Sequence, residues 1–177
     1  MDEFTMLPKR KSIRLHGFDY STRGYYFITV VTQNRICRFG DIIADKMAVN
    51  DAGAMVASCC RVIAQKFTDA ETLDFTVMPN HFHCILGLTQ EGKSSIPDIM
   101  RWFKSITTNK YIHGVREKNW MPFDRRLWQD RYYDHFIRDQ HEFDIVRDYI
   151  LNNPARWNAD SINPVCDPGA GKSDWQR

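Results

Sequence analysis

Two β-rich runs joined by a pair of turn residues constrain the fold of this chain more than any other feature. Residues 73–78 and 82–88 are rich in aromatic and β-branched side chains, and Pro79 and Asn80 stand between them. Runs of this kind with a short connection are typical of an antiparallel hairpin. The chain is therefore expected to contain a β-sheet whose second hairpin strand begins close to residue 81.

The segments around this hairpin alternate between strand and helix patterns. Before the hairpin, the sequence predicts a strand at 25–33, a hairpin excursion at 34–50 and a helix at 51–67 capped by Asn50. After it, the sequence predicts a helix at 97–111 that Gly114 ends and a strand within 128–137. A last helix opens at a capping box of Asp139 and Glu142 and ends before Pro154. The order β-α-β-β-α-β is the split βαβ or ferredoxin-like arrangement. We therefore predict an α+β fold in which both main helices cover one face of a four-stranded antiparallel sheet, with an additional C-terminal helix that carries Tyr149.

Length and composition fit one globular domain. The chain has 177 residues, 43% of them hydrophobic and 26% charged, and no apolar run approaches the ~20 residues of a membrane span. Its start lacks a signal-peptide pattern, so a soluble cytoplasmic protein that uses no membrane is expected. Residues 1–24 are predicted to be a basic N-terminal lead-in, 25–157 the folded domain and 158–177 a loose C-terminal tail. The five cysteines include no C-x-x-C pair and are expected to be reduced thiols.

Positive charge is concentrated in two blocks, although the net charge is only +2. Residues 1–40 contain seven lysines and arginines against three acidic residues, and residues 101–138 contain nine against four. Aromatic residues are interleaved with the second block, a mixture that suits phosphate groups and stacked bases. The alternative is that the aromatic residues form core and the charges a solvated face.

The sequence His81-Phe82-His83 places two imidazoles on one face of the predicted strand, because side chains alternate between the two faces. The two rings can then converge on one metal ion while Phe82 faces the other way. Taken alone, the pair is also explained by two half-buried polar residues at a sheet margin. The chain has neither the C-x-x-C spacing of zinc fingers nor an H-E-x-x-H helix.

Tyr149 and Asn153 lie four residues apart on the last predicted helix, and therefore on one face of it. If this face is turned toward His81 and His83, the Asn153 amide oxygen can complete a metal site beside the phenol. Two imidazoles and one amide with open positions suit Mg²⁺ or Mn²⁺ better than structural zinc. Taken singly, Tyr149 is explained as a core tyrosine and Asn153 as a helix cap before Pro154.

Two common catalytic motifs are excluded. Residues 169–173, Gly-Ala-Gly-Lys-Ser, resemble the end of a phosphate-binding loop, but Cys166 stands where the first glycine of that loop belongs. No G-x-S-x-G nucleophile elbow is present in the sequence. Nucleotide hydrolysis and serine-type acyl transfer are therefore not expected.

The segment 78–86, Met-Pro-Asn-His-Phe-His-Cys-Ile-Leu, resembles the H-U-H signature of single-tyrosine transposases, in which U is a bulky apolar residue. Further segments, in order along most of the chain, resemble the REP-associated tyrosine transposases of that superfamily. They are Arg14-Leu15 with Gly17 and Tyr20, Thr32-Gln33-Asn34-Arg35, Phe39-Gly40, Trp128-Gln129, Tyr132-Tyr133-Asp134-His135, Ile137-Arg138, Asp148-Tyr149-Ile150 and Asn153-Pro154. Several separated motifs in order are far more specific than the histidine pair alone.

The resemblance implies roles for four residues. His81 and His83 would bind a divalent cation, Mg²⁺ or Mn²⁺, with Asn153 as the third ligand, and Tyr149 would be the nucleophile. Attack on single-stranded DNA would leave a 5′-phosphotyrosine and a free 3′-hydroxyl, which preserves a reactive phosphodiester for rejoining. The implied substrate is a repetitive palindrome folded as a hairpin, in DNA of the nucleoid.

Nine basic residues are the candidates for gripping this DNA: Lys9, Arg10, Lys11, Arg14, Arg101, Lys104, Arg125, Arg126 and Arg131. The implied protein is a monomer or a homodimer, and His135 receives no role. Two other functions stay open. One is a non-catalytic single-strand binder with an RRM-like sheet, although the RRM signature string is absent from the sequence. The other is a metal-dependent nuclease that releases 5′-phosphate without attached protein.

Overall fold

The structure is a computed structural model that describes residues 19–165. Its elements are β1 (Gly24–Val31), β2 (Gly40–Ile43), β3 (Lys46–Val49), α1 (Asp51–Arg61), α2 (Ile63–Lys66), β4 (Ala70–Val77), β5 (His81–Leu88), α3 (Ile96–Lys118), β6 (Tyr133–Ile137) and α4 (Gln140–Asn152). Four strands form an antiparallel sheet in the spatial order β4-β5-β1-β6. The strands β2 and β3 form a separate hairpin, where the sequence predicts an excursion.

The two faces of the main sheet are covered by different helices. Residues of α1, α2 and α3 form a core with one face, where Phe82 stacks on Phe103 at 5.0 Å between ring centroids. On the opposite face, Val146 and Ile150 of α4 pack with Phe27. Every residue of β5 is buried, as expected for a strand that is covered on both sides. The predicted ferredoxin-like fold with an added C-terminal helix is confirmed.

The first helix and the first strand of the predicted hairpin differ from their predicted bounds. The helix predicted at 51–67 is interrupted at Val62, whose φ of −95° and ψ of 4° separate α1 from α2. The strand predicted at 73–78 begins three residues earlier, at Ala70, which pairs with the last residue of β5. Backbone pairing across the sheet therefore extends this strand beyond the run of β-forming side chains that identified it.

The strand predicted within 128–137 is confined to β6, and Trp128 lies in the loop before this strand. Its backbone makes an isolated bridge to Thr32. Its indole Nε1–H donates to the buried hydroxyl of Thr107 on α3 at 2.9 Å. Trp128 thus anchors the loop before β6 to a helix instead of extending the sheet.

Helix α3 continues past Gly114, where the sequence predicts its end. It stops at Asn119, whose φ of 54° is the left-handed conformation common at helix C-termini. A Cβ atom at Gly114 would lie only 2.1 Å from the Trp120 ring, which folds back onto the helix. The glycine therefore permits close packing and does not terminate the helix.

We expect Gly114→Ala to destabilise the protein by about 1–3 kcal/mol, the usual cost of overpacking. Helix propensity alone would favour alanine by about 1 kcal/mol, so a purely local effect would have the opposite sign. Denaturant unfolding of Gly114→Ala, beside the exposed substitution Asn109→Ala on the same helix, separates the two effects. Equal stabilities of the two variants would show that Trp120 moves aside without cost.

The chain folds back onto the sheet after α4. A 3₁₀ turn, Pro154–Ala159, follows Asn153, and Asp160 and Asn163 beyond it are buried. We call residues 154–165 the cover segment. Over residues 158–165 the structure thus differs from the loose tail expected from the sequence, because the Asp160 carboxylate accepts the Ile162 N–H at 2.8 Å and holds a turn.

Within residues 19–165, no helix combines the length and the apolar character that crossing a membrane requires. The cysteines in this range, Cys37, Cys59, Cys60 and Cys84, are free thiols, as expected. Cys166 and the phosphate-loop resemblance at 169–173 lie outside the described residues.

Candidate active site

Two buried histidines stand side by side on β5, a strand that is otherwise apolar. His81 and His83 are 0% and 1% exposed, and their ring centroids are 4.5 Å apart. Phe82 points into the core on the opposite face, as strand alternation predicts. The pair therefore does not lie at a solvated sheet margin.

The neighbouring Asn80 orients the His81 ring. Its Nδ2 donates to the backbone oxygens of Arg35 and Ile162 at 2.9 and 3.0 Å. Its Oδ1 lies 2.8 Å from His81 Nδ1. Because an amide oxygen can only accept, His81 Nδ1 carries the hydrogen, and the Nε2 of the neutral ring carries a lone pair.

His83 is held in a similar way from β1. Its Nδ1 lies 2.8 Å from the hydroxyl of Thr29, its partner across the sheet, and its ring stacks on Phe27 at 5.3 Å. The Nε2 atoms of both histidines are buried and have no hydrogen-bond partner among residues 19–165. Metal-binding histidines are commonly held through their other ring nitrogen in this manner.

Helix α4 brings the two residues of the predicted helical pair to the histidines. The Tyr149 ring lies 5.3 Å from the His83 ring and meets Phe27 edge-on at 5.9 Å. Asn153 directly follows α4 and is 1% exposed, and its Oδ1 has no hydrogen-bond partner in the described part of the chain. Together with His81, all four residues predicted for catalysis and metal binding are gathered in one subunit. Their individual roles stay predictions.

A further polar residue, Asp160, was missed by the sequence reasoning. Its side chain is 4% exposed, and its Oδ2 lies 3.6 Å from His81 Nε2. It belongs to the cover segment, whose Trp157 ring lies 5.9 Å from the His81 ring. An irregular turn separates Asp160 from α4, so no periodicity indicates the contact. The only signal was an acidic residue shortly after the tyrosine helix.

Burial keeps both imidazoles neutral. It lowers the pKa of His81 to about 4, although the Asp160 charge and the Asn153 amide act in the opposite direction. Burial and then the neighbouring His81 lower the pKa of His83 well below its usual value. At neutral pH both rings are unprotonated bases.

The Tyr149 phenol is protonated in these surroundings. Burial and the Asp160 charge raise its pKa, while the Asn153 amide and the Arg156 guanidinium act in the opposite direction. A phenol in this state is a weak nucleophile until positive charge or a base assists its ionisation. Ionisation of Tyr149 would therefore require a positive charge or a base beside the phenol.

The buried atoms of the site fit a divalent cation. The Nε2 atoms of His81 and His83, Asn153 Oδ1 and Asp160 Oδ2 are all buried without a hydrogen-bond partner among the residues described. Ligand atoms of the two histidines and Asp160 lie within 4.8 Å of one another. Unsatisfied acceptors are costly to bury together without a cation. Imidazole nitrogens with amide and carboxylate oxygens are suitable ligands for Mn²⁺ or Mg²⁺.

Four of the predicted DNA-binding residues are exposed. Arg101 is on α3, and Arg125, Arg126 and Arg131 are on the loop before β6. Arg101 and Arg126 each pair with an aspartate of their own segment. Exposed pairs of this kind are weak and exchange readily for other anions, so the four guanidinium groups are accessible to a charged partner.

Lys104 differs from these arginines because the fold uses its ammonium group. It donates to the backbone oxygens of Gln129 and Asp130 at 2.8 and 3.0 Å, and it lies 5.4 Å from the centre of the Tyr132 ring. The residue ties α3 to the loop before β6. The remaining predicted residues lie outside the described part of the chain: Lys9, Arg10, Lys11 and Arg14.

A charged cluster fixes the start of α4 against the sheet. His135 on β6 lies 2.7 Å from Glu142 Oε1, and the Arg138 backbone N–H donates to Glu142 Oε2 at 2.7 Å. Asp139 caps the helix by accepting the Glu142 N–H at 2.9 Å. The predicted capping box is half formed, since Glu142 accepts from the backbone of Arg138 and not from that of Asp139. His135 thus helps to anchor the helix that carries Tyr149.

These contacts make part of the stability depend on pH. Burial alone would raise the pKa of Glu142, but hydrogen bonds from Arg138 and His135 outweigh it and lower the pKa from 4.5 to about 2. The stability that this carboxylate adds above about pH 4.5 is therefore lost as the pH falls toward 2. We expect Glu142→Gln to flatten the acid-induced fall in unfolding free energy, whereas the exposed control Glu117→Gln should not. A Glu142→Gln protein with the wild-type slope would contradict the assignment.

Comparison with known proteins gives one family match, two relatives and one similar solved structure. A sequence model of the family described as "Transposase IS200 like" matches residues 20–153. The chain is 34% identical over 173 residues to an uncharacterised protein of Haemophilus influenzae, covering 86% of this chain and 92% of that protein. It is 25% identical over 141 residues to a protein of the same organism with the provisional name REP-associated tyrosine transposase, covering 78% and 74%. A solved structure of a REP-associated tyrosine transposase bound to a REP hairpin shares the fold, with a TM-score of 0.59, 22% identity, and coverage of 81% of this chain and 72% of that chain.

Proposed function

The chain belongs to the IS200-like transposase family, and from this premise we propose that it cleaves and rejoins single-stranded DNA through a 5′-phosphotyrosine intermediate. The proposed nucleophile is Tyr149. The observation that carries the proposal is the 5.3 Å distance between the rings of Tyr149 and His83 within one subunit. It supports a site in which the phenol works beside the paired imidazoles.

The proposed reaction transfers a phosphoryl group to the phenol. A bond forms between Tyr149 Oη and phosphorus while the bond from phosphorus to the 3′ oxygen breaks, and its electron pair stays on that oxygen. The phenol loses its proton and the 3′ oxygen gains one, so the products are a 5′-phosphotyrosine and a 3′-hydroxyl. Because one phosphodiester replaces another, rejoining needs no ATP.

The residues around Tyr149 support this chemistry by position. Asn80 and Thr29 aim the two imidazoles, and Phe27 packs against the Tyr149 ring. A divalent ion, Mg²⁺ or Mn²⁺, held by the imidazoles and Asn153 would stabilise the negative charge that develops on the phosphate and the leaving oxygen. Buried apolar side chains around the site lower the local dielectric, which strengthens such electrostatic effects.

Hairpin-forming repetitive palindromes are the proposed substrates, because the structural neighbour is described as bound to a REP hairpin. The exposed residues Arg101, Arg125, Arg126 and Arg131 offer positive charge to a phosphate backbone. Contact between Tyr149 and His83 of the same subunit supports catalysis by a monomer, or by a homodimer in which each subunit uses its own tyrosine.

The test is incubation of the full chain with single-stranded hairpin oligonucleotides and Mn²⁺ or Mg²⁺. We expect an SDS-resistant adduct on the DNA fragment that carries the 5′ phosphate, and a polymerase-extendable 3′-hydroxyl on the other fragment. A free 5′-phosphate with no attached protein would identify a hydrolytic nuclease instead. Binding that survives EDTA, with no adduct across many palindromes, would identify a non-catalytic single-strand binder.

A further inference from the structure

We propose that Asp160 is a ligand of the divalent ion that His81 and His83 bind, so that the cover segment is part of the metal centre. This inference deepens the proposed function and rests on its metal dependence. The resemblance that predicts the other ligands does not include Asp160. Its role follows from the hydrogen-bond roles of the atoms at the site.

The hydrogen bonds of Asn80 fix the direction of the His81 lone pair. Asn80 Nδ2 is fully used by two backbone oxygens, so Asn80 Oδ1 faces His81 Nδ1 at 2.8 Å and accepts its hydrogen. The His81 Nε2 lone pair then points away from Asn80. Asp160 Oδ2 lies 3.6 Å from this nitrogen.

In the described part of the chain, the buried atoms without hydrogen-bond partners at the site are all acceptors. A carboxylate oxygen has no hydrogen to donate, and neither has the amide oxygen of Asn153. Among residues 19–165, no donor serves His81 Nε2, Asp160 Oδ2 or Asn153 Oδ1. At 3.6 Å the nitrogen and the carboxylate oxygen are too far apart for a hydrogen bond between them. A cation between such atoms turns mutual repulsion into attraction.

The spacing between His81 Nε2 and Asp160 Oδ2 suits two ligands of one ion. Ligand atoms about 2.1 Å from Mg²⁺ and at right angles to each other are about 3.0 Å apart. The observed 3.6 Å between His81 Nε2 and Asp160 Oδ2 is only slightly longer. Two imidazoles, Asn153 and Asp160 would supply four of about six positions, which leaves room for oxygens of a DNA phosphate or water.

The Asp160 carboxylate is held in place by the backbone of its own turn. Asp160 Oδ1 accepts the Ile162 N–H at 2.8 Å, which leaves Oδ2 to face His81. Within the same turn, the Ser161 carbonyl accepts from Arg35 Nη1 at 2.9 Å and the Ile162 carbonyl accepts from Asn80 Nδ2 at 3.0 Å. The ligand is therefore pre-organised by bonds that do not depend on the ion.

Isothermal titration of the full chain with Mn²⁺ alone, without DNA, tests this role. We expect Asp160→Asn, which keeps the shape and removes the charge, to weaken Mn²⁺ binding at least about tenfold. The control Asp144→Asn removes the same charge from an exposed position on α4 and should change the affinity less than about twofold, because exposed charges are screened. Asp160→Ala, which cannot bind the ion through an amide oxygen, should match or exceed the loss of Asp160→Asn.

Thermal unfolding provides the second readout. Without metal, Asp160→Asn should melt at the wild-type temperature or above it, because the new amide can donate to His81 Nε2. Saturating Mn²⁺ should raise the melting temperature of the wild type more than that of the variant. A merely structural role of Asp160 would instead lower the metal-free melting temperature and leave the Mn²⁺ affinity unchanged.

The outcomes separate this inference from the proposed function. Wild-type affinity for Mn²⁺ in Asp160→Asn and Asp160→Ala would overturn the ligand role and leave the DNA chemistry standing. Weakened Mn²⁺ binding in these variants, with no covalent adduct formed by the wild type on any hairpin, would uphold the ligand role and overturn the proposed reaction. If the wild type binds neither Mn²⁺ nor Mg²⁺, both the ligand role of Asp160 and the metal dependence of the proposed reaction are overturned.

Discussion

Tyr149→Phe is expected to abolish the covalent protein–DNA adduct, with a loss of more than about a thousandfold in its rate of formation. The substitution removes only the phenolic oxygen, which is the atom that would bond to phosphorus. The phenyl ring can still pack against Phe27 and His83, so the fold and the affinity for a hairpin should be retained. Adduct formation on a labelled oligonucleotide, measured beside binding by electrophoretic mobility shift, gives both quantities.

The matched control for this experiment is Tyr133→Phe. Tyr133 on β6 also approaches Phe27, with 6.1 Å between ring centroids, but no nucleophilic role is proposed for it. The Tyr133→Phe protein should therefore form the adduct at the wild-type rate. An undiminished adduct in Tyr149→Phe, or its loss in Tyr133→Phe alone, would remove Tyr149 as the nucleophile.

His81→Ala is expected to weaken the binding of Mn²⁺ by at least about a hundredfold and to stop cleavage at moderate metal concentration. The variant loses one of the two Nε2 lone pairs, the one that lies 3.6 Å from Asp160 Oδ2. Excess Mn²⁺ should restore part of the cleavage, because the remaining ligands can still be saturated by mass action. Titration calorimetry and the cleavage assay measure the two effects separately.

A histidine outside the site controls for the general loss of an imidazole. His113 is exposed on α3, and His113→Ala should keep the wild-type Mn²⁺ affinity and cleavage. Circular dichroism of each variant checks that the fold is intact. Full cleavage by a folded His81→Ala protein, at a metal concentration that just saturates the wild type, would show that His81 is not a ligand.

The parts of the site that are predictable from sequence depend on short-range periodicity. Side chains at i and i+2 share a face of a strand, and those at i and i+4 share a face of a helix. These rules alone pair His81 with His83, and Tyr149 with Asn153. Periodicity cannot show that the two faces meet. That expectation comes from the family resemblance, and the packing of α4 on the histidine face of the sheet provides the geometry.

Other features depend on contacts that no local pattern encodes. Asp160 reaches His81 through an irregular turn, Lys104 is used by backbone oxygens 25 and 26 residues away, and Gly114 is required by the ring of Trp120. Each depends on tertiary packing between separate segments. Residue type alone suggests that Asp160 lies in a loose tail, that Lys104 contacts DNA and that Gly114 ends a helix. In each case the surrounding fold gives the residue a different environment.

The single amide of Asn80 also has a consequence for how the protein is made on the ribosome. It bonds to Arg35, 45 residues before it, and to Ile162, 82 residues after it. Chains fold progressively as they are synthesised, so the first bond can form long before the second. A nascent chain that has not yet exposed Ile162 therefore contains both histidines but lacks one of the two bonds that hold the Asn80 amide beside His81, and the candidate site is complete only after residue 162 has left the ribosome.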